Sequence, residues 1–128
     1  MDQTPLDNLL RPKSVAIVGA SATPGKIGYT VIDNLLKGGY NGKIYPINPT
    51  ADVILDLPVF ASVTDVPDKV DLAVITVPVN LVSQVAEECG QKGIKALSVI
   101  TSGFSEVGRK DLEDELIAIG HKYGMCIL

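Results

Sequence analysis

The stretch Gly19-Ala20-Ser21-Ala22-Thr23-Pro24-Gly25-Lys26-Ile27-Gly28 gathers the residue types that hold an anion without a strong positive field. Gly19 can take backbone angles closed to other residues, and Gly25, after Pro24, lets a phosphate approach the main chain. Gly28 lets the helix that follows sit close to a neighbouring strand. Ser21 and Thr23 offer hydroxyl donors, and Lys26 adds one point charge. Free amides at the start of that helix then face the anion, helped by the helix dipole. The set reads as a diphosphate cradle. The same glycines also suit an ordinary tight strand-to-helix turn, and their spacing alone leaves that alternative open.

Two well-defined phosphate loops fit this stretch badly. The dinucleotide fingerprint requires G-x-G-x-x-G and an acidic residue near the end of the second strand; Ala20-Ser21 break the spacing, and Asn48 stands where Asp or Glu belongs. NAD is therefore disfavoured. A Walker A loop has four residues between Gly and Gly-Lys and then Ser or Thr, whereas here the spacing is longer and Ile27 follows Lys26. Nucleotide hydrolysis at this loop is disfavoured as well.

The remaining reactive side chains give no second centre. His121 is the single histidine and falls among polar residues of a helical stretch, so it reads as a solvated surface residue rather than a phosphoryl carrier. Cys89 and Cys126 lie in apolar patterns without metal-ligand spacing and read as packing residues of a reducing compartment. Glu87-Glu88 and Glu113-Asp114-Glu115 read as solvated helix faces. No catalytic residue and no metal site is expected within this stretch of chain.

These residues are positioned by an alternation of strands and helices. A short helix over Leu6–Leu10, ended by Arg11-Pro12, is expected to cover a sheet edge. Ser14–Val18 is a continuous apolar run that stops at Gly19, the pattern of a strand covered on both faces. Ile27, Val31, Ile32, Leu35 and Leu36 repeat at helical spacing before Gly38-Gly39. Lys43–Ile47 is a second strand, with Pro46 requiring an unpaired amide at that point. Between Ala51 and Pro67 the signals are mixed, with a short strand at Val59-Phe60 and a helical turn over Ser62–Val66. Val70–Val77 is a strand ended by Pro78, and a helix follows directly with Leu81, Val82, Val85, Ala86 and Cys89 on one face, ending between Gly90 and Gly93. Ala96–Thr101 is a strand, Arg109–Lys122 a helix with Leu112, Leu116 and Ile119 inward, and Met125–Leu128 the start of another strand.

Strands joined by helices of this length pair in parallel through right-handed crossovers. The expected fold is α/β, a Rossmann-like doubly wound and mainly parallel sheet with helices on both faces. In such sheets ligands bind beyond the carboxyl ends of the strands. That edge carries the Gly19–Gly28 turn, Asn48-Pro49, Val77-Pro78 and Ser102-Gly103.

Composition sets the outer bounds. The 128 residues fit one domain, 1–128, and the apolar share of 46% is carried largely by aliphatic side chains. A net charge of −4 gives no basic footprint for a nucleic acid or an anionic membrane surface. Met1 precedes polar Asp2-Gln3-Thr4-Pro5 without an apolar leader, and no run approaches a membrane span, which points to a cytoplasmic protein. The apolar run at Met125–Leu128 reads as the interior of a longer multidomain chain whose N-terminal part this is.

Five blocks together resemble one family. They are Leu9–Ser21, Pro24–Tyr29, Tyr45–Pro49, Val77-Pro78 and Thr101–Glu106. They are similar to the coenzyme A-binding domain of the NDP-forming acyl-CoA synthetases, which include ADP-forming acetate–CoA ligases and, more distantly, the succinyl-CoA synthetase α-subunit. The resemblance covers nearly the whole chain. It implies that Gly19, Ser21, Pro24, Gly25, Lys26 and Gly28 meet the CoA phosphates, that Asn48 and Pro49 lie at the nucleoside end, and that Val77 and Pro78 lie at the adenine or the adjacent chain. Ser102, Gly103 and Phe104 would line the pantetheine path. Many members carry Lys directly after the Asn-Pro pair, within reach of a phosphate, and this chain has Thr50 there.

The resemblance further implies an acid–thiol ligase. Its ATP-grasp and phosphohistidine domains, with ATP or ADP and Mg, would lie outside this stretch, in the same chain or a partner subunit, and the full-length form would be an oligomer. The alternatives are a CoA-binding-like regulatory domain of a protein-lysine N-acetyltransferase, a stand-alone CoA or nucleotide-binding protein, or an NAD-sensing Rossmann domain.

Overall fold

The computed structural model describes residues 4–100 and 106–128. A short helix α1 (Pro5–Leu10) is capped by Thr4, whose hydroxyl accepts from the Asp7 amide while the Asp7 carboxylate accepts from the Thr4 amide. It packs against β6 (Ala96–Val99) and the edge strand β7 (Cys126–Ile127), as expected of an edge-covering helix.

The main sheet holds β1 (Ser14–Val18), β2 (Lys43–Ile47) and β5 (Leu72–Ile75) with β6 and β7, in the order β2-β1-β5-β6-β7. Every pairing in it is parallel. Helix α2 (Ile27–Lys37) joins β1 to β2, α3 (Val82–Lys92) joins β5 to β6, and α4 (Glu106–Tyr123) joins β6 to β7.

All five residues of β1 are buried, which explains its unbroken apolar run. Val15 and Ile17 pack in one layer with Ile32 of α2. Ala16 and Val18 pack in the opposite layer with Val82, Ala86 and Cys89 of α3 and Leu112 of α4. The doubly wound, Rossmann-like α/β sheet read from the sequence is thus the observed architecture. β2 is an edge strand, so Pro46 loses no ladder bond, and its carbonyl accepts from the Phe60 amide at 3.0 Å.

The base of the sheet is pinned by polar groups. Ser14 and Asp71 are buried; the Ser14 hydroxyl donates to the Lys69 carbonyl at 3.0 Å and accepts from the Asp71 amide at 2.9 Å. The Asp71 carboxylate accepts from the Lys13 amide at 2.8 Å.

Several boundaries differ from the sequence reading. The strand expected over Val70–Val77 is only Leu72–Ile75; just before it the Asp71 amide donates to the Ser14 hydroxyl, and the Asp71 carboxylate holds the Lys13 amide. A 3-10 turn over Val79–Leu81 separates Pro78 from α3, and Leu81 is exposed rather than on the packed face. The end of α3, by contrast, falls at Gly93 within the expected Gly90–Gly93 range, and Gly90 lies inside the helix against the ring of Tyr123.

The segment with mixed signals forms a small antiparallel hairpin, β3 (Val53–Ile54) and β4 (Leu57–Pro58), rather than a strand at Val59-Phe60. Phe60 contributes one isolated bridge to Ile47. The expected helical turn near Ser62 is present as a 3-10 turn, Val63–Asp65, capped by Ser62. Among the described residues no helix is long and apolar enough to cross a membrane.

Candidate ligand site at the switch point of the sheet

β1 has β2 on one side and β5 on the other, so the chain leaves it in both directions and a crevice opens between the loops at the carboxyl ends. The Gly19–Gly28 turn begins there and is clamped from both flanks. The amides of Gly19 and Ala20 both donate to the Ile47 carbonyl, at 3.2 and 3.1 Å. From the other side the Thr76 amide donates to the Val18 carbonyl at 2.8 Å, and the Thr76 hydroxyl lies within hydrogen-bond distance of the Val18 and Gly19 carbonyls, at 3.0 and 3.1 Å.

Gly19 has φ +96°, and a Cβ there would fall 2.6 Å from Thr76 Oγ1 and 3.0 Å from the backbone of Thr76 and Val77. Both the conformation and the space require glycine. Gly28 is required for a different reason: its Cβ would lie 2.0 Å from the Gly19 carbonyl oxygen, so the first turn of α2 rests directly on the end of β1. Gly25 has φ +95° and nothing within 4 Å of its Cβ position, leaving the main chain open to an incoming group.

Between them the turn is closed by its own bonds. Ser21 Oγ accepts from the Thr23 amide at 3.0 Å, and the Lys26 amide donates to the Thr23 carbonyl at 3.2 Å. Lys26 is the extended N-cap residue of α2, and no side chain caps the helix. The Tyr29 and Thr30 amides turn back to the Lys26 carbonyl, which leaves those of Ile27 and Gly28 without a capping acceptor. α2 has no acidic residue in its first turn. Its positive end therefore meets no charge of its own, and Lys26 is exposed beside it.

Asn48 arrives from the end of β2. Its Nδ2 donates to the Ala20 carbonyl at 2.9 Å, and its Oδ1 accepts from the Thr50 amide at 2.8 Å, the Thr50 hydroxyl at 3.0 Å and the Ala51 amide at 3.0 Å. Asn48 thus binds two loops together with both ends of its amide, and Thr50 is engaged in the same knot. Asn48 and Pro49 form the rim of a cavity of about 190 Å³ that also meets Gly19, Ile47, Val63 and Val77. Pro78 follows Val77 and is exposed on the same edge. Ser102, Gly103 and Phe104 lie outside the described residues.

Three residues of this site gave no signal in the sequence. Thr76 reads as one more β-branched strand residue, Ser62 as the start of a helical turn, and Glu88 as half of a solvated pair. In the structure the pair divides. Glu87 accepts from Lys122 at 2.7 Å and from the Tyr123 hydroxyl at 2.6 Å, tying α3 to α4. Glu88, one step along α3, lines the cavity with Val85 and Ser62.

A larger groove of about 460 Å³, mostly apolar, runs along α4 and β7 past Leu112, Leu116, Ile117 and Leu128, and it shares no lining residue with the first. His121 is exposed at that groove, away from the turn after β1. Cys89 is buried, and burial pushes its thiol up to about 12, with Glu88 adding to the effect. It is an inert packing residue. No group of side chains among the described residues could hold a metal ion.

The profile of the CoA binding domain family matches residues 13–128. The chain belongs to that family. This CoA-binding domain is 51% identical over 129 residues to the acetate–CoA ligase [ADP-forming] I subunit alpha of Pyrococcus furiosus, a match spanning 96% of this chain and 28% of that protein. It is 49% identical to the acetate–CoA ligase [ADP-forming] II of Archaeoglobus fulgidus, over 95% of this chain and 18% of that one. Among solved structures it superposes on the dinucleotide forming acetyl-coenzyme A synthetase 1 of Ca. Korarchaeum cryptofilum, in complex with phosphate and ADP, with a TM-score of 0.90 and 52% identity. That match covers 96% of this chain and 26% of that chain. The domain therefore spans less than a third of the length of each of these three proteins.

Proposed function

We propose that the domain binds coenzyme A or an acyl-CoA across the switch-point edge, as part of an acid–thiol ligase. The reaction interconverts acyl-CoA, ADP or GDP and phosphate with the free acid, CoA and ATP or GTP. The observation that carries the reading is the uncapped start of α2 beside the open face of Gly25, within a chain of the CoA-binding family.

The diphosphate lies against the open main chain of Gly25 and the uncapped amides of Ile27 and Gly28, with the Lys26 side chain adding charge and the Ser21 hydroxyl free to donate. The nucleoside end enters the cavity between Asn48-Pro49 and Val77-Pro78. Pantetheine leaves toward Ser102, Gly103 and Phe104. The domain orients the thiol ester, and bond making and breaking, with ATP or ADP and Mg, belong to ATP-grasp and phosphohistidine domains in the same chain or a partner subunit. The full-length protein is a cytoplasmic oligomer. The identity of 51% and 49% with two acetate–CoA ligases supports the ligase reading.

Calorimetric titration with CoA, dephospho-CoA, NAD and pantetheine tests this. CoA is expected to bind more tightly than NAD, and tightest binding of NAD would overturn the assignment. Lys26→Ala removes one partly solvated charged contact of about 0.5–1.5 kcal/mol, so CoA should weaken roughly 2- to 12-fold. Pantetheine, lacking the diphosphate, should be unaffected; equal losses would remove Lys26 from the phosphate site.

A further inference from the structure

We infer that Glu88 selects the base at the nucleoside end of the ligand, by accepting a hydrogen bond from an exocyclic amino group. The inference rests on the reading above that the nucleoside end enters the small cavity. Its walls there are Val18, Ile47, Val63, Val77 and Val85, apolar surfaces suited to the faces of a flat ring. Glu88 lines the same space from α3, one turn beyond Val85 and on the same helix face. It is half-buried, and among the described residues it makes no hydrogen bond or ion pair.

A half-buried carboxylate without a cation is costly unless a donor reaches it. An ionised carboxylate only accepts hydrogen bonds, so the group that fills this corner must bring an N–H or O–H. The same charge repels phosphate. It therefore orients the ligand, keeping the diphosphate at the uncapped amides of Ile27 and Gly28 and admitting the base. The Asn48 Oδ1 does not compete for that amino group, because it already accepts from the Thr50 amide, the Thr50 hydroxyl and the Ala51 amide, and its Nδ2 can only donate.

Among purine bases the distinction falls between one carrying an amino group at C6 and one carrying a carbonyl there. The experiment compares CoA with its hypoxanthine analogue on the full chain, by calorimetry, for the natural protein and for Glu88→Gln. The natural protein should bind CoA about 10-fold more tightly than the analogue, the scale of a single hydrogen bond to a partly solvated charge. In Glu88→Gln that ratio should fall to about 2-fold or invert, since the Gln amide can donate to the C6 carbonyl.

An unchanged ratio in Glu88→Gln, or equal affinities in the natural protein, would overturn the role of Glu88 while leaving CoA binding intact. Failure of the natural protein to bind either compound would instead overturn the site itself. Glu88→Ala, with its fold checked by circular dichroism, serves as the second variant: it should lose discrimination without inverting it, and retained discrimination there would also contradict the inference.

Discussion

Gly25 and Gly28 belong to one turn, yet the packing around them assigns them opposite tests. An Ala at position 25 meets no atom within 4 Å and carries only the cost of φ +95°, about 1–2 kcal/mol. The added methyl stands where a phosphate must approach, so Gly25→Ala should leave a folded protein whose affinity for CoA falls at least about 10-fold. An Ala at position 28 would press on the Gly19 carbonyl at 2.0 Å, forcing α2 away from β1. Gly28→Ala should lower stability by about 1–3 kcal/mol in thermal denaturation, with binding lost as a consequence. The Cys89 thiol, held near 12 by burial, should resist alkylation in the native protein at neutral pH and react in denaturant. Rapid native labelling at Cys89, read by peptide mass, would contradict its packed position.

At the level of elements, the contacts that join helices and strands are as specific as those at the turn. Asp71→Ala removes the acceptor of the Lys13 amide and loosens the base of β1 and β5, at a cost of about 1–3 kcal/mol in chemical denaturation. The Lys122 hydrogen bond, then that of Tyr123, holds the Glu87 carboxyl below the usual carboxylate range. Its contribution is present above the unfolded carboxyl value and fades as pH falls through the lowered one. Lys122 is raised by Glu87, so its share is present below its unfolded value and lost as pH rises through the raised one. Glu87→Gln should flatten the acid side of the stability profile, measured as melting temperature against pH.

The strands and long helices were legible because burial on both faces of β1 and amphipathic spacing on α2 and α3 leave strong patterns. The hairpin was not, because its turn uses Leu55 and Asp56 at φ 49° and 65° without the Asn-Gly or Asp-Gly signature. Glycine and hydroxyl residues of the site could be read from the turn itself. Thr76, Ser62 and Glu88 could not, because their roles follow from the register that brings β5, the Ser62 turn and α3 to the same sheet edge.

For the molecule as a whole, strand order decides where a ligand of this charge can sit. A protein of net charge −4 offers no general attraction to a diphosphate, so binding has to come from local dipoles, and the uncapped end of α2 opens at the point where the strand order reverses. The larger groove on α4 and β7 offers mainly apolar surface and the exposed Leu128. The two places are far enough apart in the chain to be told apart by amide resonances. A 15N-resolved NMR titration of the full chain with CoA should move the amide signals of Gly25, Lys26, Ile27 and Gly28 most, with those of Ile117, Gly120 and Leu128 nearly unchanged. Saturation that shifts the α4 and β7 amides and leaves the Gly25–Gly28 amides in place would contradict the account.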